Sequence, residues 1–365
     1  MILQPDKTGA IFLIRGSNLK KIIEVTREPN GWEYWEFPAC FATVYMQIGG
    51  LTAGRQSVIT LYGVASGISH VQLDMTDREH FPPGFRFNEN GVIGEYDDYI
   101  GFTMGFAGYT CERYDKSNER AAVSAAIKKS IDAGRPVLMN FGKYYSWCAI
   151  VGYDEEAGTL YGLDDVENYW KDRTGECDNG MFVTGDWYEY MAEAVVVTGR
   201  TAPSVTYDDV FRRMAGIMEA MERKGYGRHS IDYLRDAANF EGYDGESYLE
   251  LAGRVASLVA LLIDQRSWLS NFFKDLANAD AFKDKARYLK QIAALYGGSA
   301  DVCWLAWHMV GSFPERPELD AENCAKLLPS PIYRNAIAEA VEVILGNDRR
   351  VLDCLKEMMG NTTGE

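Results

Sequence analysis

The stretch Gly134–Asp165, GRPVLMNFGKYYSWCAIVGYDEEAGTLYGLDD, limits the fold most, because it reads as two or three consecutive strands. Gly134-Arg-Pro breaks the helical run before it. Val137–Phe141 is an apolar run of strand length. Ser146–Tyr153 is rich in apolar and aromatic residues, with Gly152 closing the run. Asp154–Gly158 is polar and ends in glycine, a turn of hairpin length. Thr159–Leu163 then returns as a strand and stops at Asp164-Asp165. A hairpin sets the start of its first strand beside the end of its second. Ser146 and Asp164 are therefore expected close together at one end of a sheet.

Ahead of this stretch, Ala10–Ile14 reads as a strand and Gly31–Pro38 as an aromatic-dense loop. Cys40–Gly50 reads as a short helix stopped by Gly49-Gly50, with Pro38 at its approach. That places Cys40 at a helix N-terminus, where the partial positive charge favours a thiolate. Thr60–His70 is rich in small residues and suits close packing on another backbone. Residues 72–100 are polar and carry Pro82-Pro83-Gly84, which reads as a long loop or lid. Ile100–Tyr109 is a short helix or a strand, and Asn118–Asp132 is a helix capped by Gly134. Ala194–Thr198 is a further strand.

Composition changes near Thr201-Ala-Pro-Ser. Beyond it nearly every segment has helical period: Val210–Met221, Tyr248–Leu276, Lys285–Tyr296, Val302–Met309, Asn335–Leu345 and Arg349–Met359. Thr206 with Asp209 resembles a capping box, and Pro314, Pro317, Pro329 and Pro331 mark the main break. The expected organisation is α+β: one domain over residues 1–200 holding the strands, then an all-α domain over 201–365.

The 365 residues suit two domains. A net charge of −16 and a pI near 4.8 argue against nucleic acid and anionic membrane as main partners, since both repel an acidic surface. The seven cysteines are scattered, odd in number and never in a C-x-x-C pair, which disfavours a disulfide framework or a zinc site. No two histidines have metal-ligand spacing, and no glycine-rich phosphate loop is present, so no cofactor is expected. The start, Met-Ile-Leu-Gln-Pro-Asp-Lys, lacks a basic and then apolar segment, and Val255–Ile263 is too short to span a bilayer. With free thiols, these features lead to the expectation of a cytoplasmic protein.

Several segments taken together resemble the butirosin biosynthesis protein H family. They are Ala39–Gly49, Leu61-Tyr-Gly-Val-Ala-Ser-Gly, Gly134-Arg-Pro-Val-Leu, Ala149-Ile-Val-Gly-Tyr-Asp and Leu163-Asp, in that order over the first half. The helical second half is similar in style to that family's companion domain, at Gly227–Leu234 and Leu262–Ser270. The resemblance implies a papain-like first domain and cysteine-dependent acyl transfer, or an amidase-like variant of it, on a small molecule or peptide, with an acyl carrier protein as a candidate donor. It implies Cys40 as nucleophile and Asp164 as the residue that orients the base. The base position, eight residues before Asp154, holds Ser146 where the family has histidine. A serine hydroxyl does not accept a thiol proton near neutral pH. A glutamine shortly before Cys40 is also missing, with Tyr34 and Trp35 standing there.

Two readings therefore stay open. Cys40 is either an activated nucleophile or a buried apolar cysteine. Asp164 either orients a base or ends a strand in a turn. His70 follows the Cys40 segment and is either a replacement base or a structural histidine. Trp32, Trp35, Tyr145 and Trp147 either line a cleft or pack in the core. The matching functions are an acyltransferase with an altered site, or a catalytically inactive pseudoenzyme that binds a small molecule or peptide.

Overall fold

The structure, a computed structural model, describes residues 20–23, 41, 44, 55–67, 98–141, 146–163, 177–178, 181–309 and 317–360. The expected strand at Ala10–Ile14 and the loop over residues 72–97 lie outside these residues. The chain divides into two compact units, Met1–Ala65 with Ile100–Thr206, and Ser66–Tyr99 with Tyr207–Glu365. An antiparallel sheet together with many helices makes the class α+β, and all the described strands fall in the first unit.

The described strands are β1 (Lys20–Ile22), β2 (Tyr109–Asp115), β3 (Val137–Phe141), β4 (Ser146–Asp154), β5 (Thr159–Leu163), β6 (Cys177–Asp178), β7 (Met181–Thr184) and β8 (Glu193–Arg200). They form one sheet in the order β2-β8-β3-β4-β5-β7-β6, every pair antiparallel. β1 pairs with the far half of β4, Lys20 opposite Asp154 and Ile22 opposite Gly152. The expected strands at 137–141, 146–153 and 159–163 match β3, β4 and β5 closely.

These strands are readable because the sheet is buried on both faces, which turns strand sequences into continuous apolar runs. On one face Met139, Phe141, Cys148, Ile150, Ala194 and Val196 share a core cluster with Val123, Ile127 and Ile131 of helix α3 (Arg120–Asp132). On the other, Leu138, Ala149, Val195 and Val197 are buried as well. α3 buries Val123, Ile127, Ser130 and Ile131, one stripe at helical spacing. Each of its three large apolar side chains contributes about 2 kcal/mol of burial as an upper figure.

α3 ends in a Schellman motif. Gly134 sits at φ 73°, its N–H donates to Ile131 O, and the Arg135 N–H donates to Ser130 O. Gly152 is constrained by space instead. A Cβ there would lie 2.7 Å from the Lys21 carbonyl oxygen, so only glycine lets β1 approach β4 at the point where the register with β5 shifts.

The remaining described helices of eight or more residues are α1 (Arg55–Gly67), α2 (Tyr99–Ala107), α5 (Tyr207–Lys224), α6 (Tyr226–Arg235), α7 (Gly245–Asn278), α8 (Ala286–Met309), α9 (Pro317–Leu327) and α10 (Pro331–Gly360); a single turn, α4 (Trp187–Tyr190), precedes β8. In the second unit α8 packs on α7 and α10, and α10 also packs on α5 and α6. α5 buries Val210, Phe211, Met214, Ile217, Met218 and Met221, the stripe its sequence period predicts. α7 is capped by Asp244, whose Oδ1 accepts from the Ser247 N–H at 2.9 Å.

Arg334, nearly fully buried in α10, donates from Nε to Leu234 O at 3.3 Å and from Nη1 to Leu328 O at 2.7 Å and Pro329 O at 2.9 Å. One guanidinium thus meets orphan carbonyls at the C-terminal ends of α6 and α9. Its outer face lies 4.0 Å from the Phe240 ring centroid.

Candidate functional site

The geometry of the site region is set by the β3–β4–β5 meander. Ser146 is the first residue of β4 and stands opposite Phe141; Trp147 stands opposite Asn140. The last residue of β5, Leu163, stands opposite Ala149. The meander therefore brings the start of β4 and the end of β5 to the same end of the sheet, as the hairpin reading expects. The backbone of Ser146 is described and its side chain is not. Asp164 lies just beyond Leu163 and outside the described residues, as do Cys40, His70, Trp32, Trp35 and Tyr145. In the segment expected to be the Cys40 helix, Phe41 and Val44 are described; both are helical and buried.

Trp147 is 7% exposed. It packs as core and does not present its ring to solvent. Among the described cysteines, Cys148, Cys303, Cys324 and Cys354 are buried. Cys148 is buried and donates from Sγ to Met139 O at 3.4 Å. Burial pushes the Cys303 thiol up to about 12, with Arg266 opposing and Asp348 adding to the shift. Burial also pushes the Cys354 thiol up. Both of these thiols are held away from the thiolate.

Three clusters escape sequence reading. The first joins α3 to β4. Lys128 Nζ donates to the Tyr153 hydroxyl at 2.6 Å, and that hydroxyl donates to Asp132 Oδ1 at 2.8 Å. Lys21 Nζ adds a bond to the Asp132 carbonyl at 2.9 Å. Burial pulls the Asp132 pKa upward, but the Tyr153 hydrogen bond and the charges of Lys128 and Lys21 outweigh it and hold the carboxyl below its usual range. The same surroundings raise Tyr153, burial first, so this phenol stays protonated and is no base.

The second is a row across four strands. Asn140 of β3 stands between Trp147 of β4 and Glu193 of β8, and Arg113 of β2 donates from Nε to Glu193 Oε1. The Asn140 side-chain oxygen is buried and accepts no hydrogen bond. The third is a buried ion pair in the helical unit, Arg266 Nη2 to Asp348 Oδ2 at 2.7 Å. Alternation within a single strand or helix gives no signal for any of these, because each needs residues far apart in sequence. Among the described residues no group of His, Cys, Asp and Glu is arranged to hold a metal ion, and no helix is long and apolar enough to cross a membrane. No family model matches this chain, and no curated protein or solved structure matches it either.

Proposed function

We propose that the sheet-bearing unit is a papain-like domain of the butirosin biosynthesis protein H type whose acyl-transfer site has lost its base, and that it acts as a binding module for a small molecule or peptide. The observation that carries this reading is Ser146. It is the first residue of β4, at the strand position where the resemblance calls for histidine. In acyl transfer a thioester carbonyl is attacked by the cysteine sulfur and the carrier thiol leaves; an amine then displaces the cysteine. Each half needs a group that takes a proton from the nucleophile and returns one to the leaving group. Serine does neither near neutral pH.

A second reading is favoured by the retained Cys40 and Asp164: a working acyltransferase in which another residue, His70 first, serves as base. The pH profile of Cys40 alkylation separates the two, read by mass spectrometry on the Cys40 peptide so that other thiols do not interfere. Without an imidazole, only the helix end assists the thiol, worth about 0.3–1 kcal/mol or less than one pKa unit. Alkylation should then rise with pH like an ordinary thiol of pKa about 8.5. Ser146→His should increase Cys40 reactivity near neutral pH. A wild-type profile with a thiolate pKa near or below about 6 overturns the pseudoenzyme reading in favour of the enzyme.

A further inference from the structure

We infer that residues 201–206, which carry the chain out of the sheet-bearing unit toward α5, are a latched strap, seated on the C-terminal end of α2 at Gly105 and Gly108 and released without unfolding the sheet. The composition change at Thr201 marks a boundary between units, and such boundaries are ordinarily the segments most open to proteases. Here the segment is exposed but bonded. Beyond the last rung of the β2–β8 ladder, Tyr109 opposite Arg200, the Thr201 N–H donates to Gly108 O at 2.9 Å. Three residues on, the Ser204 N–H donates to Gly105 O at 3.0 Å. Gly105 lies in the last turn of α2, where carbonyls run out of partners within the helix, so the strap caps that helix from outside.

The seat is made of space as well as hydrogen bonds. Both glycines are buried, while residues 201–204 are exposed. A Cβ on Gly105 would lie 2.8 Å from Ser204 Oγ and 3.1 Å from Val205 Cγ2. One on Gly108 would lie 2.8 Å from the Thr201 carbonyl oxygen and 3.4 Å from the Pro203 ring. Gly108 also adopts φ 75°, which glycine takes without strain. Pro203 fixes one backbone dihedral of the strap and so lowers the entropy lost on seating. The placement gives the latch its reach. The chain passes between units after Ala65, Tyr99 and Thr206. α2 begins at the second passage and the strap on its other end leads to the third, so both are tied to one nine-residue helix. Release frees the third passage and leaves Gly105 O and the Thr201 N–H to solvent, while β2 and β8 stay paired through their own rungs. None of this depends on Cys40 or on what the sheet-bearing unit binds.

The test uses the full chain, with amide hydrogen exchange read residue by residue. In the wild type the Thr201 and Ser204 amides should exchange about tenfold or more slower than in a free chain, although both residues are exposed. Exchange at the free-chain rate overturns the strap. Thermolysin, which cuts before Val205, then reads release by mass spectrometry, since cleavage follows the population of the open form. Gly108→Ala should speed the cut between Ser204 and Val205 by about fivefold or more, the worth of one hydrogen bond. Gly134→Ala is the control: it strains another left-handed glycine of the same unit, at φ 73°, with nothing within 4 Å of the added carbon. An equal rate in the two variants overturns the latch and assigns the cut to general loosening of the unit. Should Gly108→Ala not fold, Gly105→Val answers the same question, because valine is no worse than glycine within a helix and its side chain displaces Ser204 and Val205. Faster exchange at the Ser204 amide with α2 still protected supports the latch. Unchanged exchange at Ser204, or protection lost throughout α2 and β2, overturns it.

Discussion

Neutralising Asp348 should destabilise the helical unit more than any surface charge change. The Arg266 and Asp348 side chains are 0% and 5% exposed, and their closest atoms are 2.7 Å apart. Arg266 also donates to Gln265 Oε1 and lies 5.6 Å from the Tyr296 ring centroid, while Gln265 Nε2 donates to Ser66 O at 2.8 Å. Asp348→Asn keeps the shape and removes the charge, leaving a desolvated guanidinium without its carboxylate. Breaking one side of a buried pair costs about 3–5 kcal/mol. For a unit of this size each kcal/mol moves the melting temperature by about 2–4 °C, so the shift is on the order of 10 °C. Urea and thermal unfolding followed by circular dichroism would measure it, with an unchanged urea slope as the sign that only stability moved. Replacing both partners, Arg266→Met with Asp348→Leu, should recover most of the loss, because neither charge is then buried alone. Glu342→Gln is the internal control: its pair with Arg235 is well exposed and should move the midpoint little. An Asp348→Asn midpoint as close to wild type as that of Glu342→Gln would refute the reasoning.

Two further outcomes follow from the sheet-bearing unit. Gly152→Ala should lower its stability by about 1–3 kcal/mol, because the added methyl meets the Lys21 carbonyl and Ile22; hydrogen exchange should rise first at the Ile23 amide, which now donates to Val151 O at 2.9 Å, and unchanged protection there would contradict the close approach. Asp132 has a depressed folded-state pKa, so its contribution is present above its unfolded value of about 3.9 and is lost as pH falls through the folded value. Asp132→Asn should therefore lower the urea midpoint near neutral pH and lose its effect in strong acid; an equal effect at both ends would mean that the charge is not what matters.

The elements that sequence reading places well are those whose pattern is local. β3, β4 and β5 were legible because apolar runs of strand length alternate with a polar, glycine-ended turn. α3 was legible because a buried stripe ends at a glycine that adopts φ 73°. Helix breaks were less legible. The expected pair Asn335–Leu345 and Arg349–Met359 is one helix, α10, because Gly346-Asn347-Asp348 lies inside a packed bundle, where the Asn347 side chain donates to Ser299 Oγ at 3.1 Å and Asp348 pairs with Arg266. Tertiary contacts there outweigh the weak helix preference of glycine and asparagine. Likewise Lys285–Tyr296 and Val302–Met309 join in α8 across Gly297-Gly298. β2 was missed because TCERYD alternates charge and polarity at a sheet edge, the composition that keeps edges from pairing elsewhere.

The candidate site region was legible only in its hairpin. Placing Ser146 at the start of a strand needs only the order of residues along one hairpin, and Ser146 is the first residue of β4. The Asn140 row needs the order of strands across the sheet, which local pattern does not contain. Glu193 stands beside Asn140 only because β8 enters between β2 and β3, and a strand from far along the chain is indistinguishable in sequence from one that joins the edge. The unmet oxygen is harder still, since an asparagine at a strand end usually turns to solvent or to a neighbouring backbone group. Two donors of the row and its flank have other acceptors. Arg113, the cation of the row, is drawn to Glu193, and the Ala192 amide is taken by the Asn140 carbonyl.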